Sequence, residues 1–386
     1  MLKKILYVLV LSIVGISFVL ISRFVFLRTP TSPQENASHE VYEVALVLEL
    51  EDKNKNEETH LHEQKVTLRL LSGEYKGQEI RTTHHFSGVP GLDLDIQKGD
   101  KVVLYIESKQ GELENIYISD MYRIDWTLAI IILFVLLLLI IGGWKGFKSL
   151  IALGITILSI FEILIPSIVI GYNPLLVTIF ISTFVTIFTM LMIADFSTKS
   201  IAATLGTISG VVVAGFLAIG VGYLTHLTGI SSEESRAILL SPTLSVDLKG
   251  LLFAGILIGA IGAIMDVSMS ISSSIHEIYK ANPKSNLKSL FSSGMNVGRD
   301  IMGTMSNTLI LAYTGGALPL LFMYSAYKVS FMKILNLELI TTEILRAVVG
   351  SIGLIMSVPL TSFIASLLLI LFVSKMHTLD VKTTIE

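Results

Sequence analysis

No cysteine occurs in the 386 residues, which excludes disulfides, thiolate metal sites and cysteine nucleophiles and leaves the redox compartment unmarked. Charge is scarce too. Asp, Glu, Lys and Arg make up 15% of the chain, against about 25% in an ordinary soluble domain. The formal net charge is −3 and there is no basic run, so a nucleic-acid partner is not expected. H-E-x-x-H, G-x-S-x-G and Walker sequences are missing, and with them the usual signals of metalloprotease, esterase and NTPase chemistry. The expectation is a protein that is not an enzyme and has no cofactor or metal site.

Hydrophobicity is what the chain has in quantity: 52% apolar residues and a mean hydropathy of +0.73. It is unevenly spread. Residues 30–125 hold 19 of the 31 acidic residues and 10 of the 28 basic ones, while residues 126–386 hold 12 and 14. One part is written for water and the other for hydrocarbon. Three segments follow: a signal anchor at 1–29, a small extracytoplasmic β-barrel domain at 30–125, and a seven-helix transmembrane bundle at 126–386. The fold class is an α-helical polytopic membrane protein of about eight spans with a small all-β, OB-like outer domain.

Lys3 and Lys4 precede an apolar run from Ile5 to Ile21. No small-residue cleavage site follows, so the run reads as an uncleaved anchor. A polar linker at 30–40 leads to five strand-like runs: Tyr42–Leu50, Gln64–Leu71, Gln78–Thr83, Lys101–Glu107 and Glu114–Ile118. Val66, Leu68 and Leu70 alternate with Thr67 and Arg69 as in a half-buried strand. Gly73, Gly77, Gly88, Gly91, Gly99 and Gly111 mark the turns. Beyond them, Trp126–Trp144, Ser149–Ile170, Pro174–Ala194, Ile201–Leu224, Leu251–Ile271, Ile301–Tyr324 and Ile344–Val373 each reach the ~20 apolar residues that span a bilayer.

Lys and Arg in the short loops set the orientation. With the N-terminus inside, Lys3, Lys4, Lys145, Lys148, Lys199, Lys280, Lys284, Lys288, Arg299, Lys375 and Lys382 are cytoplasmic, and Arg236, Lys249, Lys328, Lys333 and Arg346 face the other side. Both termini are expected inside. The pairs Gly206/Gly210 and Gly255/Gly259, with Gly262, predict close helix packing. The loop 225–249 is expected to hold a capped short helix at Ser231–Arg236.

Ionisable groups inside a span are costly, about 2.5–3.5 kcal/mol each at the centre on insertion scales, so they are the candidate functional residues. Glu162 lies mid-span. Asp195, Asp266 and Asp300 come from three spans and are expected toward the cytoplasmic side of one bundle. Asp266, Ser270, Ser273 and Glu277 share a helix face. Asn296, Gly303 and Asn307 lie near one face beside Arg299 and Asp300, and Asp300 reads equally as a carboxylate capping its helix or as part of a functional group. Such stripes face protein or water rather than lipid, and lining a cavity or forming a packing seam both remain open. His60, His62, His84 and His85 sit in polar segments without ligand spacing and are expected at the surface.

The block Gly262-Ala-Ile-Met-Asp-Val-Ser-Met-Ser-Ile and the block Gly294-Met-Asn-Val-Gly-Arg-Asp-Ile-Met-Gly-Thr-Met-Ser-Asn-Thr-Leu-Ile-Leu-Ala-Tyr313 resemble the YibE/F family of bacterial multi-pass membrane proteins. The resemblance covers nearly the whole chain. It implies a protein of the bacterial plasma membrane and implies no activity. From the residues themselves, the leading expectation is a permease or secondary transporter of a small polar solute or ion. The alternative is a scaffold or sensor whose outer domain binds an envelope partner. An intramembrane hydrolase comes third, because Asp266 and Asp300 lack the G-x-G-D context of intramembrane aspartyl proteases.

Overall fold

The computed structural model describes residues 2–26, 39–51, 54–55, 62–86, 93–109, 112–242 and 244–383. Most of the predicted linker, His60, and the turn glycines Gly88, Gly91 and Gly111 lie outside them. The chain forms two compact units, Thr31–Leu138 and Met1–Pro30 with Leu139–Glu386.

The first unit is an antiparallel sheet. Its strands are β1 (His39–Leu50), β2 (Asn54–Lys55), β3 (His62–Leu70), β4 (Glu79–Phe86), β5 (Lys101–Lys109) and β6 (Glu112–Met121). All five predicted strands are present, each longer than its sequence run. The long strands are ordered β4–β3–β1–β5–β6, with β2 pairing the start of β3. Alternation puts Ala45, Val47, Val66, Leu68, Leu70, Val102, Leu104 and Ile106 into one core, with Ile96 from the loop before β5. The sheet curls into a half-barrel: Thr82 Oγ1 of β4 donates to the Ile116 carbonyl of β6 at 2.6 Å.

The helices are α1 (Leu2–Phe26), α2 (Ile124–Ser159), α3 (Ile165–Val169), α4 (Pro174–Ala194), α5 (Thr198–Leu224), α6 (Glu233–Leu240), α7 (Leu248–Ala281), α8 (Leu287–Gly316), α9 (Leu318–Ala326), α10 (Phe331–Leu335) and α11 (Glu338–Thr383). A π-helical turn, Ile160–Leu164, joins α2 to α3. Among the described residues, six segments are long and apolar enough to cross a membrane, or seven if the bent pair α8–α9 is one span. The protein is therefore a multi-pass membrane protein. The longest segment, Ile124–Val169, has 46 residues and breaks at Gly143, whose φ of 53° and ψ of −130° leave the helical region. A glycine adopts that conformation without a Cβ penalty.

Three sequence boundaries are corrected. α8 starts at Leu287, capped by the Asn286 side chain on the Ser289 amide, so Asp300 is mid-helix and caps nothing. The expected span Ile301–Tyr324 is not one rod, because α8 and α9 meet at a 58° bend where Pro319 opens α9. α7 runs to Ala281, ten residues past the apolar run. The short outer helix is α6, capped reciprocally by Ser232 and Ser235.

Small residues assemble the second unit. A Cβ on Gly210 of α5 would stand 3.0 Å from the Gly353 carbonyl oxygen of α11, and 2.9 Å from both Ser357 Cβ and Ile264 Cγ2. Gly206 lies against Thr361 in the same seam. The pairings run in opposite senses along α5 and α11, so these helices are antiparallel. Ser268, Ser272, Ser357, Thr361 and Ser366 are buried in the core. Thr361 Oγ1 bonds Ser268 Oγ at 3.2 Å, and Ser272 Oγ donates to the Lys199 carbonyl at 2.8 Å. Part of the polarity is thus a packed seam. The second glycine pair behaves differently: Gly255 and Gly262 have no atom within 4 Å of a would-be Cβ, and Gly259 lies against the Tyr313 hydroxyl.

Candidate functional site

α7 begins at Asp247, whose carboxylate accepts from the Gly250 amide at 2.9 Å, and its apolar residues turn inward from Leu252 to Ile275. What remains outside is a stripe at helical spacing: Gly255, Gly259, Gly262, Asp266 and Glu277 are exposed, with Ser270 and Ser273 half-buried. α8 divides in the same way. Gly294 packs against Ile275 and Ser362, and Gly298 against Ile271 and Val358. Glycine at these two places lets α8 settle between α7 and α11. Its opposite face exposes Asn296, Arg299, Asp300, Gly303, Thr304, Asn307 and Thr308. Arg299 Nη1 donates to Asn296 Oδ1 at 3.2 Å. Ile275 on Gly294, Ile271 on Gly298 and Tyr313 over Gly259 set α7 and α8 side by side and antiparallel. On the helical wheel the α7 stripe borders that seam at Gly259, while the α8 stripe centres on the side away from Gly294 and Gly298, with Arg299 at the edge nearer Tyr313. Eight of the ten candidate residues lie on these two stripes.

The other two are elsewhere. Glu162, in the π-helical turn, pairs with Arg23 of α1 at 2.9 Å. Asp195 ends α4 with φ 56° and ψ −177°, and its Oδ1 takes Lys148 Nζ at 2.6 Å. Tyr7 of α1 stands beside this pair: its hydroxyl donates to the Leu191 carbonyl at 3.1 Å and its ring lies 5.9 Å from Lys148 Nζ. The three aspartates therefore do not form one cluster, and α1 is fastened near both of its ends.

Sequence reading missed a second polar group. Arg346 Nη1 pairs with Glu343 Oε1 at 2.8 Å on α11, both half-buried. Glu343 lines two clefts. One, of about 200 Å³, is bounded by α8, α9 and α11 and includes Tyr313; the other, of about 310 Å³, includes Ser232, Glu234 and Arg346. Tyr313 Oη and Arg346 Nε are buried without a hydrogen-bond partner. The carboxyl of Glu234 is held below the usual range by its own backbone amide and the Ser232 hydroxyl. The signal was present: Glu343 and Arg346 stand three apart at the head of an apolar run. None of these clefts is lined by Asp266.

In the sheet unit, His84 is buried rather than at the surface, with Nε2 3.2 Å from the Leu94 carbonyl oxygen, while His85 Nδ1 lies 3.4 Å from Glu63. Among the described residues, no three His, Asp or Glu are placed to hold a metal ion. Tyr42, Tyr105 and Tyr117 stand in direct cross-strand register on β1, β5 and β6. Their ring centroids are 5.4 and 6.4 Å apart, and Tyr42 and Tyr117 are 63% and 46% exposed.

Two family models match. One, described as YibE/F-like protein, covers residues 130–371, and the other, the YibE/F family N-terminal domain, covers 37–121. No match was found among curated proteins or solved structures.

Proposed function

The chain belongs to the YibE/F family, and from that premise we propose a permease or secondary transporter of a small polar solute or ion, with the α7–α8 face as its path. The observation that carries this reading is a pair of polar stripes, with Asp266, Arg299, Asp300 and Asn307 exposed on them, along two helices that bury mainly apolar residues. Lipid does not solvate such a face. Asp266 is the group that exchanges a cation or proton, Arg299 attracts an anionic moiety, and Asn296 and Asn307 orient the solute. Glu162 is committed to Arg23 and drops out of the path.

Taking Ile124–Val169 as two spans divided at Gly143, and α8–α9 as one, gives eight. An even number returns both termini to the same side, and the Lys and Arg bias makes that side the cytoplasm of a bacterial cell. The sheet unit is then extracytoplasmic. Its strand order, with the β4–β6 bond closing it, fits an OB-like barrel. The test is flux into liposomes holding the purified protein. Asp266→Asn is expected to cut flux about tenfold or more, equivalent to ~1.4 kcal/mol on the barrier. Unchanged flux would sink the reading.

One observation favours a second reading, a scaffold or sensor. Exposed aromatics in a row are a ready contact surface, and the tyrosines of β1, β5 and β6 form one. If so, deleting residues 30–123 with α1 kept reproduces the whole null phenotype, and Asp266→Asn has none.

A further inference from the structure

The geometry points to a second copy of this chain as the occupant of the α7–α8 face, so that any path there is completed between two protomers. The path rests on the transport reading; the pairing does not. Three observations select this occupant.

Among the described residues, none covers the face, whose polar side chains are exposed. Leu128–Ile141 is apolar at every position, so it holds no side chain to meet Asp266, Arg299 or Asn307. α1 is already fastened through Tyr7 and Arg23. Charge then argues for self-association. Asp266, Glu277 and Asp300 share the face with Arg299 and Lys280, all exposed. A two-fold contact is reciprocal, so Arg299 meets the partner's Asp300 twice over; a partner of one sign would leave half of these charges opposed. Finally, there is room. Gly255, Gly262 and Gly303 have no atom within 4 Å of a would-be Cβ, so a second backbone has space to approach closely, as small residues permit between helices in membranes.

The absence of cysteine makes the experiment direct. Gly262→Cys, Gly303→Cys and a control, Phe216→Cys on the exposed side of α5, are each made in the full chain and oxidised in native membranes. The two face variants are expected to give a product of twice the 42.3 kDa chain, at least about tenfold above the control, since only an isologous contact brings identical positions together. In the Gly303→Cys background, Arg299→Glu is expected to lower the product about fivefold and added Asp300→Arg to restore it, as coupled charges do. Rescue by the swap separates lost pairing from lost folding. Equal cross-linking at the control, monomer from both face variants, or a product of another mass would each overturn the proposal. Flux lost with cross-linking retained indicts the transport reading alone, and cross-linking lost with flux retained overturns only the pairing.

Discussion

Asp195→Ala is expected to destabilise the purified protein by about 3 kcal/mol, because it strands a buried ammonium. The side chain of Lys148 is 7% exposed and that of Asp195 is 61%, so the two ends of the pair are not equivalent. Removing the carboxylate leaves Lys148 with the Tyr7 ring and no anion. Removing the lysine leaves a carboxylate that water still reaches, and Lys148→Met should cost only about 1 kcal/mol. Backbone geometry adds a second comparison. At φ 56° and ψ −177°, Asp195 occupies a region nearly confined to glycine, at a cost of about 1–3 kcal/mol. Asp195→Gly therefore loses the pair but sheds the strain, and is milder than Asp195→Ala. The double variant Lys148→Met with Asp195→Gly should return to within about 1 kcal/mol of the parent. Thermal unfolding in detergent by circular dichroism reads the order: parent and double variant highest, then Lys148→Met, Asp195→Gly and Asp195→Ala. If Lys148→Met proved the worst of them, the ion pair would not be what matters here.

Gly210→Leu is expected to be as damaging for a different reason. Its Cβ would sit 3.0 Å from a backbone carbonyl of α11 and 2.9 Å from side chains of both α7 and α11. Relief requires moving α11 away from α5, which breaks the seam that also buries Gly206, Ser357 and Thr361. Overpacking of this kind costs about 1–3 kcal/mol and sometimes more, and a leucine wedged against backbone belongs at the upper end. Gly220→Leu, on α5 at a position that, like Gly255, has no neighbour within 4 Å, is the matched control. The measurement is monodisperse yield and unfolding temperature side by side. An intact Gly210→Leu protein would mean that α5 and α11 do not approach this closely.

The same comparison shows how far a glycine motif can be read from sequence. Spacing announced both pairs, but only Gly206/Gly210 lies between backbones. Which glycines are covered depends on the neighbouring helix. The strands were legible because alternation is local: Val66, Leu68 and Leu70 are buried as their period requires. The start of α8 was not, since Gly294 and Gly298 resemble a break in the pattern. Ile275 and Val358, from two other helices, make them helix-packing residues instead. Asp195 and Lys148 are 47 positions apart, and nothing between them signals a pair. Glu343 and Arg346 were hidden because Arg346, in the first turn of the last apolar run, reads as a charge that sets membrane orientation.

The fastening of α1 also has a consequence in time. Arg23 leaves the ribosome roughly 140 residues before Glu162, which at about 5–20 residues per second is on the order of 10 s. Through that interval the first helix stands in the bilayer with its guanidinium unanswered, near enough to its end for the charge to reach the interface. Its 20-residue run from Ile5 to Phe24, with a mean hydropathy of 2.7, holds it there alone. Only when Glu162, Leu191 and Asp195 have emerged does it acquire its neighbours. α1 is thus locked in place only after the segments as far as α4 have been made, and a nascent chain stopped before residue 162 carries it without its Glu162 partner.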